Sequence, residues 1–445
     1  MLFERRTLLL LAIVALLGAP AVALRAACAG NSCLAREQPP RKIPFCSLPL
    51  ETRRLIVAGF REERSPDVLA LTGSQRVVGG TGLPRGASTW PQTAASDSGR
   101  VPIVFWGTGV DPSSQIPAGS GLRDVAPTIA SVIGFHVPHP EVRSGRPVDG
   151  VATRERPRLV VVVVWKGVGS ADLEEAPDRW PELNRLLEAG AGTLDGEVGS
   201  LPLDPAASLA TLGTGGLPAE HGITGTVIRD GDRVVRAWSH GAPVSIIATL
   251  ADDLDERLGQ RPRIALVGTK GADRGAIGGN WYLRGDRDDV VIAAGPPQEQ
   301  ASAAARVVRS GYGADGVPDL LVVTMAGSIA RMDAALPRVV RAAREAAGGS
   351  VSLVVTATGS AGSAAKDDVV AARLQKEVER GLQARAPVIQ AVGLGGLFLD
   401  QRALADTGIT SEDVLRELRV VADPQDGPLL ADAFPGIAVT LARYC

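Results

Sequence analysis

Few side chains in this sequence are suited to acid–base catalysis or metal binding at neutral pH. Histidine, which most often does both, occurs four times among 445 residues, at His136, His139, His221 and His240. The first two flank Pro138 in a segment that indicates a loop, and His240 is isolated. We expect none of these three to bind a metal ion. His221 stands in a Glu-His-Gly segment.

The four cysteines are the second set of reactive side chains. They lie near the two ends of the chain, at Cys28, Cys33, Cys46 and Cys445. An even number of cysteines in an exported chain favours two disulfides, which these four could form in three ways. Free, buried thiols are the alternative.

The N-terminal segment carries the signals of export. Arg5 and Arg6 precede an apolar run over residues 8–24, and residues 21–23 (Ala-Val-Ala) have the pattern of a cleavage site. The run is shorter than the roughly 20 residues of a comfortable membrane-spanning helix. Residues 1–27 are therefore predicted to be a cleaved signal peptide or an uncleaved anchor that associates the chain with a membrane. In both cases the rest of the chain is exported, to the cell envelope or beyond. The polar residues 28–45 are typical of a linker.

Composition narrows the class of protein. The 47 basic and 49 acidic side chains give a net charge of −2, so the cationic excess of a nucleic-acid-binding protein is missing. Hydrophobic residues make up 45% of the chain, which is enough for a large packed core. A mainly disordered chain is thereby excluded.

The chemistry-bearing residues must be positioned by a set of alternating strands and helices. Residues 159–165 read LVVVVVW, a run without alternation that is typical of a strand buried on both faces. Further strands are predicted at 68–71, 101–106, 263–267, 290–293, 320–324 and 352–356, and helices at 122–133, 245–257, 300–309 and 332–347. The alternation predicts an α/β fold with a doubly wound, mostly parallel sheet sandwiched by helices.

Two segments then point to a known family. Residues 180–190 read WPELNRLLEAG after the buried strand, and residues 210–223 read ATLGTGGLPAEHGI. This arrangement resembles the alkaline phosphatase superfamily, and in particular its type I phosphodiesterase/nucleotide pyrophosphatase branch. There a Pro-Asn-Leu helix follows the first strand, and an A-T-L-x-T-G-x-x-P-x-x-H-G-I segment follows the nucleophile helix. The resemblance implies an alkaline phosphatase-like domain over residues 46–445, in which His221 and Gly222 form a structural turn.

Segments similar to the family's closing third lie at the opposite end of this chain. Residues 64–68, 100–107 and 124–130 resemble that third but precede the first core strand. The resemblance implies a circular permutation, with residues 46–152 equivalent to the family's C-terminal third and 157–445 to its N-terminal two-thirds. Strands 101–106 and 352–356 should then share one sheet. The permutation would also make residues 46 and 445 neighbours, so the expected disulfides are Cys46 with Cys445 and Cys28 with Cys33.

Members of the family place two zinc ions beside a threonine or serine nucleophile, and the matching positions differ here. Lys166 replaces the metal-binding Asp, Thr358 stands at a lost Asp-His pair, and Thr89 lies where a histidine is expected. Strand 320–324 is followed by neither Asp nor His. Asp204 or Pro205 takes the place of the nucleophile. The resemblance therefore implies no zinc cofactor and a degenerate pocket formed by Lys166, Asp204, Thr358 and Thr89.

Lys166 supports two interpretations. It could hold a small anion such as phosphate, sulfate or a carboxylate. Alternatively it could form an ion pair with an acid such as Asp204, so that no unpaired charge remains in the vestigial cleft. The sequence accordingly predicts an exported, catalytically inactive relative of these hydrolases that acts as a binding or envelope-associated protein. The alternative is an active phosphoester hydrolase with non-standard site residues, among them Asp204 as nucleophile.

Overall fold

A computed structural model describes residues 35–36, 45–72, 78–79, 99–239, 244–279, 281–282, 288–360, 369–423, 427–428 and 430–445. Its strands are β1 (Ala35–Arg36), β2 (Val68–Thr72), β3 (Val78–Gly79), β4 (Arg100–Gly107), β5 (Leu159–Trp165), β6 (Ala191–Glu197), β7 (Val227–Asp230), β8 (Arg233–Arg236), β9 (Ile264–Gly268), β10 (Asp289–Ile292), β11 (Asp319–Met325), β12 (Val351–Ala357), β13 (Val369–Val370), β14 (Ile389–Gly393), β15 (Gly396–Leu399), β16 (Val421–Asp423), β17 (Gly427–Pro428) and β18 (Leu430–Pro435).

The α-helices are α1 (Leu50–Gly59), α2 (Leu122–Ile133), α3 (Ser170–Glu174), α4 (Pro181–Ala189), α5 (Pro205–Thr214), α6 (Pro218–His221), α7 (Leu250–Leu258), α8 (Pro297–Arg309), α9 (Ile329–Ala346), α10 (Ala371–Leu382), α11 (Gln401–Thr407), α12 (Ser411–Arg419) and α13 (Gly436–Thr440). Short 3-10 helices cover Phe45–Ser47, Pro140–Val142, Pro177–Arg179, Gly271–Ala276 and Leu441–Tyr444. Among the described helices none is long and apolar enough to cross a membrane.

A seven-stranded sheet forms the centre of the molecule, in the order β10-β9-β11-β5-β12-β4-β6. The first five strands are parallel, and β4 is antiparallel to both of its neighbours. Every residue of β5, β11 and β12 is buried, as the unbroken apolar runs in these segments predict. Helices flank the sheet, which confirms the predicted mixed α/β class with a mostly parallel central sheet.

The strand β4 lies directly beside β12. Their antiparallel register pairs Ile103 with Thr356 and Trp106 with Leu353. The prediction that segments 101–106 and 352–356 share one sheet is therefore confirmed. Because 244 or more residues separate the paired positions in sequence, this contact joins two distant parts of the chain.

The predicted strands and helices overlap those of the structure, and the largest shift of a boundary is at one helix start. Segment 245–257 was expected to be helical throughout, but α7 begins only at Leu250. Thr249 is its N-cap: the Thr249 hydroxyl accepts from the Asp252 amide at 3.2 Å, and the Asp252 carboxylate accepts from the Thr249 amide at 2.9 Å. This capping box stops the helix from extending toward residue 245.

A second, four-stranded antiparallel sheet has the order β14-β15-β2-β18. Its apolar face packs with α10 and α12 into a separate core that includes Val68, Val378 and Leu415. The short strand β1, within the segment expected to be a linker, pairs with β16. Sequence reasoning identified β2 but did not identify this sheet.

The two ends of the described chain are joined covalently. A disulfide links Cys46, in the first 3-10 helix, to Cys445 across a sequence separation of 399 residues. This confirms the expected Cys46–Cys445 pairing. Cys28 and Cys33 lie outside the described residues.

Candidate functional site

The candidate site lies at the carboxyl edge of the central sheet, where ligands of open parallel sheets bind. Lys166 directly follows β5, and its amide donates to the Met325 carbonyl at the end of β11, at 2.8 Å. Thr269 and Lys270 directly follow β9, and Thr358 follows β12. The edge therefore gathers polar side chains from strands that are far apart in sequence.

The Lys166 side chain is almost fully buried and forms an ion pair with Asp273. Its Nζ donates to Asp273 Oδ1 at 2.5 Å and to Thr269 Oγ1 at 2.9 Å. The two charged side chains are 10% and 2% exposed. Lys166 therefore pairs with an acid, as one of its two interpretations expected, but the acid is Asp273 and not Asp204, which was named as an example. Two of the three ammonium hydrogens of Lys166 are used in these bonds.

Asp273 is held by several further donors. Its Oδ2 accepts from the Thr269 amide at 2.8 Å, from the Thr269 hydroxyl at 2.8 Å and from the Thr324 hydroxyl at 2.6 Å. Burial alone would raise the pKa of this carboxyl group, but the Lys166 ammonium and these hydrogen bonds outweigh it and lower the pKa. Asp273 is therefore a buried carboxylate that stays ionised.

Two more cations lie near this ion pair. Lys270 is exposed; partial desolvation of its ammonium group and repulsion from Lys166 lower its pKa. Arg236, at the end of β8, acts in the same direction, whereas Asp273 and Asp204 oppose the shift. The cationic cluster, defined as Lys166 and Lys270, thus lies around the carboxylate of Asp273.

Close helix packing brings these parts together. The 3-10 helix Gly271–Ala276, which carries Asp273, packs on α5. A Cβ atom on Gly213 of α5 would lie only 2.6 Å from the Gly275 carbonyl oxygen. Glycine at 213 therefore permits the approach. Beside it, the buried Trp238 Nε1 has no acceptor within the described ranges.

Asp204 lies at the start of α5 and is fully engaged in structure. As the N-cap its Oδ1 accepts from the Ala206 amide at 2.8 Å. The Thr226 hydroxyl donates to Oδ1 at 2.9 Å and the Thr226 amide to Oδ2 at 2.8 Å. The side chain borders a cavity of about 10 Å³, room for about one water molecule. Burial raises the pKa of Asp204, and its hydrogen bonds oppose that shift.

Thr358 ties two strand ends to a helix. Its Oγ1 accepts from the Gly167 amide at 2.9 Å, its amide donates to the Trp165 carbonyl at 3.1 Å, and its carbonyl accepts from the Ser208 hydroxyl at 3.3 Å. Thr358 is 2% exposed. Its polar atoms therefore hold the edge of the sheet. Thr89, the fourth candidate, lies outside the described residues, as does His240.

His221 is buried and closes the turn after α6. The Ile223 amide donates to His221 Nδ1 at 3.1 Å, so the hydrogen lies on Nε2, which donates to the Thr211 hydroxyl at 3.0 Å. Burial lowers the pKa of His221 to about 3. Gly222 caps α6 with φ 78°, a left-handed conformation that favours glycine.

Sequence reasoning missed Asp273, Thr269, Lys270 and Arg236. A signal for the first three was present, because they follow the correctly predicted strand β9 and the carboxyl ends of parallel strands meet at one edge. Arg236 carries no such signal, since it belongs to the hairpin β7–β8. Within the described ranges no group of three or more His, Cys, Asp or Glu side chains could hold a metal ion.

Fold and site together define a mixed α/β protein with a mostly parallel central sheet and a cationic cluster at its carboxyl edge. Among solved structures the chain is similar to wild-type alkaline phosphatase PafA, with 15% identity and a TM-score of 0.46 over 59% of this chain and 77% of that chain. It is also similar to a variant of PafA carrying four substitutions, with 15% identity and a TM-score of 0.45 over 58% and 75% of the two chains. No protein-family model matches the sequence, and no curated protein matches it.

Proposed function

We propose that this chain is an exported binding protein for a small anionic ligand and that it does not hydrolyse phosphoesters. The observation that carries the proposal is the position of Lys166, whose ammonium group Asp273 holds at the carboxyl end of β5. Lys270, whose amide donates to the same carboxylate at 3.2 Å, adds an exposed ammonium group, so that two lysines stand beside one carboxylate, Asp273. This excess of positive charge favours a phosphate, a sulfate or a carboxylate.

The same ammonium group disfavours a divalent metal ion. In the family that the sequence resembles, a metal-binding Asp follows the first core strand, and here Lys166 takes that place. The positive charge of Lys166 would repel a divalent metal ion, and it would partly take the place of that ion's charge. Both oxygens of Asp273, the nearest carboxylate, already accept hydrogen bonds, from the Lys166 ammonium group and from two hydroxyl groups. We therefore propose that the chain uses no zinc cofactor.

The bonds of Asp204 argue against the hydrolase alternative. A carboxylate nucleophile needs an exposed oxygen aimed at the substrate. Asp204 is 1% exposed, and both of its oxygens accept hydrogen bonds from Thr226. Its geometry is that of a helix cap, and moving it toward a substrate would break the start of α5.

Two finer parts of the proposal concern the history and location of the chain. The circular permutation is supported by the antiparallel pairing of β4 with β12 and by the Cys46–Cys445 bond, which would rejoin the backbone at the cut. Export is supported by the apolar segment 8–24 with its preceding arginines and by this disulfide, which is typical of oxidising compartments.

The experiment is a calorimetric titration of the purified chain with inorganic phosphate, at low and at high salt. We expect binding that weakens as salt increases, since the ligand is held by charge. Lys270→Met should weaken it about tenfold, because one exposed cation near the site is lost while the buried ion pair stays. Lys376→Met, an exposed lysine on α10, is the matched control and should leave binding unchanged.

Two results would contradict the proposal. The first is an absence of phosphate and sulfate binding at low salt. The second is zinc-dependent hydrolysis of a phosphodiester by the wild-type chain. If Lys270→Met lost that activity, the hydrolysis would be located at the candidate site.

A further inference from the structure

The segment that begins at Phe45 and the C-terminal residues meet in one surface, which we call the terminal face. It consists of α1, α13 and the 3-10 helix Leu441–Tyr444, and the Cys46–Cys445 disulfide joins its two sides. Helix α13 contacts α1. A groove of about 710 Å³ between them is lined from both sides, by Leu50 and Val57 of α1 and by Val439 and Ala442.

Large apolar side chains are concentrated on the terminal face. Five of the twelve that are exposed in the described part of the chain lie here: Leu50 (54% exposed), Val57 (40%), Ile437 (51%), Leu441 (48%) and Tyr444 (74%). Ile437 and Leu441 are four residues apart, so they fall on one side of consecutive helical turns. Apolar groups gathered in this way mark a surface that is covered by a partner.

Arginines surround these apolar groups. Four of them, Arg53, Arg54, Arg61 and Arg443, line the groove, which two glutamates, Glu62 and Glu63, also line. Two pair with glutamates of the same face. The other two have no carboxylate partner among the described residues: Arg53 donates to the Leu48 carbonyl at 3.1 Å, and the Arg443 guanidinium lies 4.9 Å from the centre of the Tyr444 ring. Unpaired arginines beside exposed Leu, Ile and Tyr are typical of a surface that meets a lipid headgroup layer.

The residues that precede the terminal face in the sequence indicate a membrane as the partner that covers it. The apolar run 8–24 is followed by residues 25–44, which hold four basic side chains and one acidic one. Strand β1 (Ala35–Arg36) lies within this stretch and pairs with β16, so ten residues separate the apolar run from β1 and eight more lead to the terminal face at Phe45. These two links span at most about 35 Å and about 30 Å. A bilayer that holds the apolar run would therefore lie within reach of this face, and the basic residues between them favour an anionic one.

We infer that the terminal face lies on the surface of an anionic phospholipid bilayer, with its apolar side chains at the headgroup boundary. The contact orients the exported domain on the membrane. This inference rests on the export in the proposed function and not on the anion site, which is formed by other elements.

The test uses the full chain with vesicles of phosphatidylcholine and phosphatidylglycerol that contain brominated acyl chains, which quench nearby tryptophan. Tyr444→Trp places a probe on the terminal face. Ile292→Trp places one at another exposed apolar position (48%), on the edge strand β10. We expect quenching of the added fluorescence in the first variant and not in the second. Equal quenching in both, quenching in neither, or a chain that does not associate with the vesicles would overturn the inference.

A charge-reversal variant tests the role of the arginines. Arg53→Glu with Arg443→Glu, made in the Tyr444→Trp background, should lower the population in contact with the bilayer about tenfold or more. Arg306→Glu with Arg309→Glu on α8 changes the net charge equally and should leave the contact intact. An equal loss in both double variants would show that net charge alone acts and would overturn the assignment of the face.

Two further readouts separate the explanations. Sedimentation without lipid shows whether the face joins two copies of the chain; a dimer that persists when vesicles are added, without quenching, contradicts the membrane contact. Phosphate titration of the Tyr444→Trp variant reports on the anion site alone. Intact phosphate binding without quenching overturns only this inference, and quenching without phosphate binding overturns only the proposed ligand.

Discussion

Replacing Lys166 by methionine removes one partner of a buried ion pair. Methionine fills a similar volume but leaves Asp273, 2% exposed, without its countercharge. Removal of one member of a buried ion pair costs about 3–5 kcal/mol. The loss here should lie at the lower end of that range, because Asp273 keeps the hydrogen bonds that Thr269 and Thr324 donate. We therefore expect Lys166→Met to lower the free energy of unfolding by about 3 kcal/mol at neutral pH.

The loss should depend on pH in a defined direction. In the wild-type protein the pKa of Asp273 is lowered, so its contribution to stability is present at neutral pH and is lost only as the pH falls through that lowered value. Without Lys166, burial is less opposed and the pKa of Asp273 rises. The carboxyl group then takes up a proton at higher pH, which relieves its cost, so the deficit of the variant should shrink as the pH falls toward about 4.

Urea unfolding at several pH values, with the disulfide intact, measures both effects. Arg185→Met removes the arginine from an exposed pair with Glu182 and should change stability by at most about 0.5 kcal/mol. The double variant Lys166→Met with Asp273→Asn should lose less free energy of unfolding than the sum of the two single-variant losses, because it contains no buried carboxylate without a countercharge. A Lys166→Met deficit below about 1 kcal/mol that does not vary with pH would refute the ion pair.

Three other changes have predictable results. Asp204→Ala should cost about 2–3 kcal/mol in urea unfolding, since a helix cap is lost and donors are left unpaired, whereas Asp204→Asn should cost less; similar losses in both would contradict the cap. His221, with a pKa of about 3, should stay neutral to pH 4, so its NMR signals should not shift between pH 8 and pH 4. The contribution of His221 to the free energy of unfolding should fall as the pH drops below about 6.5, by up to about 1.4 kcal/mol per pH unit, because only the unfolded chain takes up a proton on this histidine. An NMR titration midpoint of His221 near 6.5 would show that the side chain is not buried. Paired serine substitutions at Cys46 and Cys445 should lower the free energy of unfolding by up to about 6 kcal/mol, given the separation of 399 residues, and no loss of thermal stability would contradict the stabilising role of the bridge.

The central sheet could be predicted from the sequence because its strands are buried on both faces. Segments such as Leu159–Trp165 consist of β-branched and apolar residues without interruption, and their shortness and β-branched content favour a strand over a buried helix. The second sheet could not be predicted in the same way. Its strand β15 (Gly396–Leu399) is four residues long, and its pairing with β2 joins positions more than 300 residues apart, so packing rather than local pattern fixes it.

The candidate site was predicted in part. Lys166 stands out in the sequence because it replaces an expected carboxylate after the first strand, and the structure places it at the sheet edge. An acidic partner was one of the two interpretations of Lys166, but the example named was Asp204, which stands at the expected nucleophile position. Asp273 was not identified, because it lies in a six-residue 3-10 helix without periodicity. The chemistry of an N-cap, visible in the Asp-Pro start of α5, would have favoured a structural role for Asp204.

Metal content tests the central claim most directly. The purified chain is dialysed against zinc and then against metal-free buffer, and the zinc that remains is measured by mass spectrometry. A cationic, anion-binding site at Lys166 predicts essentially no retained zinc, with phosphate binding unchanged by the metal. About two zinc ions per chain, together with phosphodiester hydrolysis, would contradict the account and identify the chain as an active two-metal hydrolase.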